Sequence, residues 1–396
     1  MRKLTLAVFL TLFSLFVKAA DTPVQPPSRV DHAYVEGDAT KSAAAIADIM
    51  VVHVINFRAL LASVPDNNIK QVRLFINSLE IEASVPIGWA MKGDDADVKF
   101  LLQRTDANNK TWNTILGYPE FGKEFFDLPV TVSIGLTGHS PVPTDVDNNK
   151  KFAFIRIDPR WFAGCMAILF VYFFVLFWYA KKTPMLRDSP ADLTPLGIPG
   201  LAAGNAPYSL GKVQMAFWFS VILASYIFIW LITDNYELIN SGTLVLIGIG
   251  AGTGLGAISI NNSKADATIK KIQDLQAQQS NLQQSTALLT ASLPAAGVPE
   301  KIQYNVFLGD QLTANIKKLV DSLTQTKDNF FNDILTDENG VSFHRLQMIA
   351  FTMVLGMVFI YTVWANLMMP DFSATLLTMQ GITAGTYLGF KIPEKQ

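Results

Sequence analysis

Four histidines, His32, His53, His139 and His344, are the groups in this chain best suited to proton transfer or metal ligation near neutral pH. Their intervals form no metal-ligand spacing. Asp94, Asp95 and Asp97 have the chemistry of a calcium site, but the reading that leads is a polar turn. Asp145-x-Asp147-x-Asn149 begins like a calcium loop but lacks the glycine and the bidentate glutamate that complete one. Asp337-Glu338-Asn339-Gly340 has the same defect and reads as a turn. The glycines from Gly248 to Gly256 overlap a dinucleotide-binding pattern, but inside an apolar run with no soluble strand before it. Ala384 to Gly389 has a superficial likeness to the potassium filter, where backbone carbonyls replace an ion's hydration shell. The spacing differs, and the segment is apolar enough to be a full helix. No nucleophile motif or phosphate loop appears. The expectation is a non-enzymatic protein with no catalytic residues, cofactor or metal.

Glycine then has a packing role to explain. Gly248, Gly252 and Gly256 are spaced four apart, on one helical face, and so are Gly381, Gly385 and Gly389. In lipid, helices associate by close packing, and such stripes let backbones approach. Thr253 and Thr386 are expected to add interhelical hydrogen bonds. These eight residues are the candidates for helix packing or for facing a pore, with the two stripes meeting each other or a neighbouring subunit.

The stripes belong to a repeat. Residues 212–256 recur at 345–389 without a gap, with 12 identities over 45 aligned positions. Each copy is an apolar segment, a short polar loop and a glycine-rich apolar segment. The hairpins are expected over 212–260 and 344–391. Nothing between them is long and apolar enough to span. They therefore share one orientation, related by a pseudo-twofold axis along the membrane normal. Gln214, Gln347 and Gln380 are polar members of spans without charges, which counts against a coupled pump.

Composition agrees with a membrane setting. Hydrophobic residues make up 50% of the 396 and charged residues 16%, against about 25% charged in a soluble domain. A net charge of −2 supplies no field for nucleic acid. Arg2, Lys3 and the apolar run to Val17 read as a signal peptide over 1–20, or else an uncleaved helix. Residues 21–45, with Pro23, Pro26 and Pro27, read as a mobile lead. Residues 46–158 hold short β-rich runs at 49–57, 71–81, 97–104, 129–136 and 151–157, expected to form an exported immunoglobulin-like sandwich. Trp161–Ala180 is long enough to span and ends at Lys181-Lys182, so 183–211, with its five prolines, becomes a semi-extended cytoplasmic linker. Ser209 is a plausible N-cap for the first hairpin. Five mature spans result, with an exported amino terminus and a cytoplasmic carboxyl terminus.

The insert 261–343 places Ile272, Leu275, Leu282 and Leu289 near heptad spacing, with Gln279 and Thr286 at positions that should be apolar. It is either a helical hairpin beneath the membrane or a solvated spacer.

The strings Pro207–Trp218, Phe343–Met348, Met369–Phe372 and Gly385–Glu394 resemble a family of uncharacterised bacterial inner-membrane proteins with an exported β domain and duplicated glycine-rich hairpins. The resemblance implies a bacterial envelope setting and supplies no site residues. Expected partners are the lipid bilayer and either further copies of the chain or another envelope protein. The leading function is sensing or scaffolding across the inner membrane. An oligomeric channel or pore is the alternative, and an enzyme acting on lipid or cell wall ranks behind both.

Overall fold

The computed structural model describes residues 27–64, 68–119, 124–145, 152–291, 298–326, 329–337 and 340–392. The expected signal peptide, 1–20, lies outside them. The chain divides into two compact units, Met1–Arg156 and Ile157–Gln396.

The first unit is β-rich. Its strands are β1 (Arg29–Val35), β2 (Ala43–Ala44), β3 (Ile49–Ile55), β4 (Val72–Ile76), β5 (Leu79–Glu80), β6 (Gly88–Lys92), β7 (Asp95–Leu101), β8 (Asp127–Pro129), β9 (Val132–Leu136) and β10 (Ala153–Ile155). They form a four-stranded sheet, β1-β3-β7-β6, and two three-stranded sheets, β5-β4-β9 and β2-β10-β8. Two short helices, α1 (Phe57–Ala62) and α2 (Asn109–Leu116), complete the unit. Ala96, Val98 and Phe100 of β7 are fully buried, at the alternate positions a pleated strand turns to one face. Trp112 of α2 is also fully buried and lies 5.2 Å from the Phe154 ring.

All five expected β-rich runs contain strands. The lead 21–45 differs from expectation, because β1 and β2 lie within it. Val30 and Val35 are both buried although five residues apart, which a regular strand would place on opposite faces. A bulge between Val30 and His32 in the pairing with β3 resets the phase. Strand β6 also went unforeseen, since it pairs only with β7 and exposes Trp89 and Met91, which breaks the alternation.

The second unit is helical: α3 (Pro159–Lys182), α4 (Leu210–Thr233), α5 (Ser241–Ala291), α6 (Val298–Leu323), α7 (Phe330–Leu335), α8 (Phe343–Asn366) and α9 (Ala374–Lys391), with a small hairpin of β11 (Thr336–Asp337) and β12 (Gly340–Val341). Among the described residues four helices, α3, α4, α5 and α8, are long and apolar enough to cross a membrane. The 18-residue α9 is helical but more polar.

Helix α3 starts on Asp158, whose side chain accepts a hydrogen bond from the Arg160 amide, and Pro159 takes the first turn. The linker that follows has only two short 3-10 turns, as its prolines require, yet it is tied down rather than extended. Arg187 donates to the carbonyls of Ala180 and Ala206, and Leu193 packs with Ile269 and Ile272 of α5 and Leu323 of α6.

Helix α5 does not stop at the expected end of the membrane segment. It runs unbroken for 51 residues and packs on α6 as a helical pair. Gln279 donates to Thr313 across this pair, and Asn305 donates to Thr286. The two residues that weaken the heptad pattern thus make polar cross-links.

Candidate functional site

The two hairpins lie together in the helical unit. Helices α4 and α8 both have 24 residues and begin at Leu210 and Phe343, 133 positions apart. Helices α5 and α9 begin at Ser241 and Ala374, the same interval. Asp234 and Leu367, again equivalent, end the first helix of each hairpin in the left-handed region, with φ of +49° and +50°. Asn240 donates to the carbonyls of Met369 and Pro370, joining one hairpin's turn to the other's.

Glycines do create close helix contacts, but mostly not those of the repeated stripes. A Cβ on Gly248, Gly252, Gly385 or Gly389 would meet no atom within 4 Å. These four do not bring the stripes together within one chain. Gly256 is the exception, with a Cβ there falling 2.8 Å from the Leu388 side chain of α9, while Gly381 only reaches Ile249 at 4.0 Å. The tightest backbone approach is between α4 and α5. A Cβ on Gly211 would lie 3.0 Å from the Thr253 carbonyl, and one on Gly254 would lie 3.3 Å from Met215 Sδ. Gly250 and Gly254 are buried, on the face offset by two residues from the repeated stripe. The reason is angular: two residues in a helix turn the chain through about 200°, so the α4 contact and the repeated stripe look in nearly opposite directions.

The two threonines also differ from expectation. Thr253 is buried but donates to Ile249 in its own helix, at 2.7 Å. Thr386 is half-buried and makes no interhelical hydrogen bond among the described residues. Polar cross-linking falls instead to Gln214, Thr352 and Gln380, which are 3%, 7% and 0% exposed. Both amides donate to Thr352 Oγ1, at 3.0 and 3.1 Å, so one hydroxyl ties α4, α8 and α9. Side-chain hydrogen bonds of this kind join helices where hydrocarbon offers no alternative partner. The sequence marked both glutamines as polar members of apolar spans. Thr352 did not stand out among the serines and threonines of the spans, because nothing in its own helix shows that two other helices point at it. Ser209 occupies the N-cap of α4, but its buried hydroxyl makes no capping bond.

Four cations gather at one end of the bundle. Arg187, Lys212, Arg345 and Lys391 are each less than 8% exposed. Lys212 donates to the carbonyls of Pro184 and Arg187, at 3.1 and 2.7 Å. Lys391 is 3.9 Å from Asp188. Arg345 and Lys391 lie 5.8 and 5.7 Å from the ring centre of the fully buried Tyr387. Charges that hydropathy places at the ends of spans thus serve as internal ties between helix ends and linker.

A second polar constellation lies on the four-stranded sheet and was not foreseen. Pairing of β1, β3 and β7 sets His32, His53 and Asp97 side by side. The two imidazoles stack with centres 5.0 Å apart. His53 Nδ1 is 2.7 Å from one Asp97 oxygen, and Lys92 Nζ is 2.7 Å from the other. Burial acts to raise the Asp97 pKa, but hydrogen bonds from Lys92 and His53 outweigh it and hold the carboxyl below its ordinary range. The Lys92 ammonium is correspondingly raised by its hydrogen bond to Asp97. The carboxylate fixes the ring of His53 and favours the proton on Nδ1. The histidines are 21 positions apart in the chain, and only strand register joins them.

The remaining candidates disperse. Asp94 pairs with Arg58 at 3.2 Å, and Asp95 accepts the Asn56 amide at 2.7 Å, so neither shares a ligand position with Asp97. Residues 146–150, the rest of the calcium-like loop, lie outside the described residues. Asp337 pairs with Gly340 in the β11–β12 hairpin, as the turn reading requires. No group of three or more His, Cys, Asp or Glu side chains able to hold a metal occurs among the described residues. No protein-family model matches the chain, and no curated protein or solved structure is similar to it.

Proposed function

We propose that this chain is a non-enzymatic integral protein of the bacterial inner membrane, which displays its β-rich unit outside the cytoplasm and relays sensing or scaffolding to a helical pair inside. The observation that carries this reading is the continuity of α5. Its 51 residues extend about 76 Å at 1.5 Å per residue, against about 30 Å for a hydrocarbon core. One uninterrupted helix therefore belongs both to the apolar bundle and to the polar pair with α6. The bundle is a duplicated hairpin in a common orientation, and α9 makes the fifth crossing. Equal lengths of α4 and α8, equal offsets and matching left-handed helix ends support the duplication. Lys181, Lys182, Lys212, Arg345 and Lys391, at the ends of their helices, support a shared cytoplasmic end. The immunoglobulin-like reading of the β unit is supported by the contacts of β1 and β3 with β9, which bring two of its sheets together.

Photo-crosslinkers test the relay. They are placed on exposed Trp89 and Met91 of β6, and on exposed Tyr304 and Phe307 of α6, in the living host. The expected result is a defined partner on each face. Capture on neither face sinks the proposal.

A channel or pore built from several copies is the second reading. It is favoured by the open faces at Gly248, Gly252, Gly385 and Gly389, which leave room for another copy's helix. Protein shown to be oligomeric yet electrically silent in planar bilayers eliminates it.

A further inference from the structure

The helical unit contains a cleft of about 960 Å³, walled by the linker after α3, by α5 and by α6. This is at the upper end of the range for small-molecule sites, roughly 300–1,000 Å³. Helix α5 contributes Lys264, Thr268 and Lys271, spaced four and three apart on one face, and α6 contributes Lys318 and Ser322 at the same kind of spacing. The lining holds three lysines and one carboxylate, Asp188. That carboxylate faces buried Lys391 at 3.9 Å. Asp266, Asp274 and Asp321, on the same two helices, are not part of the lining. Lys271 and Lys318 are exposed and make no ion pair among the described residues. Ammonium groups held around one cavity repel each other, and an anion between them reverses the sign of that interaction.

The other walls narrow the chemistry. Leu275, Leu319 and Leu323 give the cleft an apolar side. Pro207 and Ile392, which flank the apolar helices α4 and α9, also line it, so the cleft opens where the membrane segments end. Lysines offer point charges to phosphate oxygens, and the hydroxyl of Thr268 offers a neutral donor, whereas that of Ser322 already donates to the Leu319 carbonyl. A basic pocket between membrane helices on the cytoplasmic side is the setting in which lipid headgroups bind.

We infer that this cleft binds the phosphate headgroup of an anionic phospholipid from the adjoining leaflet. The inference rests on the membrane orientation proposed above. A soluble phosphate ester would present the same charged group without the acyl glycerol that suits the apolar wall.

Full-length protein in neutral detergent, titrated with phosphatidylglycerol, phosphatidylcholine or sn-glycerol 3-phosphate and followed by native mass spectrometry and thermal unfolding, tests it. Phosphatidylglycerol should be retained and should raise Tm, and the other two should do neither. Each lysine is worth about a fivefold change in affinity, so the double variant Lys271→Ala/Lys318→Ala should bind phosphatidylglycerol about 30-fold more weakly. An unchanged Tm without lipid shows that this variant is folded, and if it is not, the single variants supply the comparison. Equal retention of phosphatidylcholine overturns the inference. So does preference for sn-glycerol 3-phosphate, which makes the ligand soluble, or undiminished phosphatidylglycerol binding by the variants, which puts the lipid elsewhere. Partner capture does not enter this assay, so the relay and the lipid site fail independently.

Discussion

The first hairpin is held together by what its residues lack, and the second by what they supply. Gly250 and Gly254 in α5 let α4 approach until Met215 touches the backbone. The equivalent positions of α9 are Thr383 and Tyr387, both buried, and Tyr387 has no exposed surface at all. The same helix pair is thus built once by removing side chains and once by filling space. The positions the copies share as glycine, 248 with 381, 252 with 385 and 256 with 389, are largely not the ones that set this contact. Identity between the copies marks a common framework, while the packing solution differs from one copy to the other.

That contrast can be broken most directly at Tyr387. Tyr387→Ala empties a fully buried site and should lower the stability of the helical unit by about 4 kcal/mol, read by thermal unfolding in detergent. The aligned change Gly254→Ala is tight only against the flexible Met215 sulfur, at 3.3 Å, with the Gly211 carbonyl at an ordinary contact of 3.5 Å, and should cost less than about 1 kcal/mol. Equal effects would show that the two hairpins pack alike after all. Overfilling tests the first copy from the other side. Gly254→Leu should cost about 3 kcal/mol, because backbone and sulfur of α4 occupy the space a larger side chain needs. Thr352→Val removes the hydroxyl that accepts from both Gln214 and Gln380 and should cost about 1 kcal/mol. Gln347→Leu, at the position aligned with Gln214 but only half-buried, should stay within about 0.5 kcal/mol. The smallest effect belongs to Gly252→Leu and Gly385→Leu, which have open space and should leave unfolding within about 0.5 kcal/mol of the parent. If they change anything, it should be self-association, read as mass by sedimentation.

How much of this could be read beforehand depends on whether the signal was local. Apolar runs of span length and the five β-rich segments are local, and they appear in the structure as helices and strands. The repeat located both hairpins and, through its glycines, the helices that pack. It did not reveal which face packs, because every second residue of α5 from Gly248 to Gly256 is glycine and the stripes at 248 and 250 are equally regular. Only the positions of Met215 and Leu388 on neighbouring helices distinguish them. Strand β1 was hidden for a related reason, since a bulge shifts its phase and the alternation that marks a strand is lost. The His32–His53–Asp97 row and the Gln214–Thr352–Gln380 tie join residues far apart in the chain, and nothing in the neighbourhood of any one of them announces the others. Glutamine at 279 and threonine at 286 looked like flaws in a heptad and proved to be donors and acceptors facing α6.

The unbroken path of α5 has a mechanical corollary. A helix that leaves the bundle without a hinge behaves as a lever whose short arm is clamped between α4 and α9. From Ile260 to Ala291 the projecting arm, which carries Leu193 of the linker and α6 packed on it, is about 46 Å long, so a tilt of ten degrees at the clamp would carry its tip sideways by about 8 Å. Displacements too small to repack the bundle would then arrive at the far end of the α5–α6 pair as movements the size of a side chain.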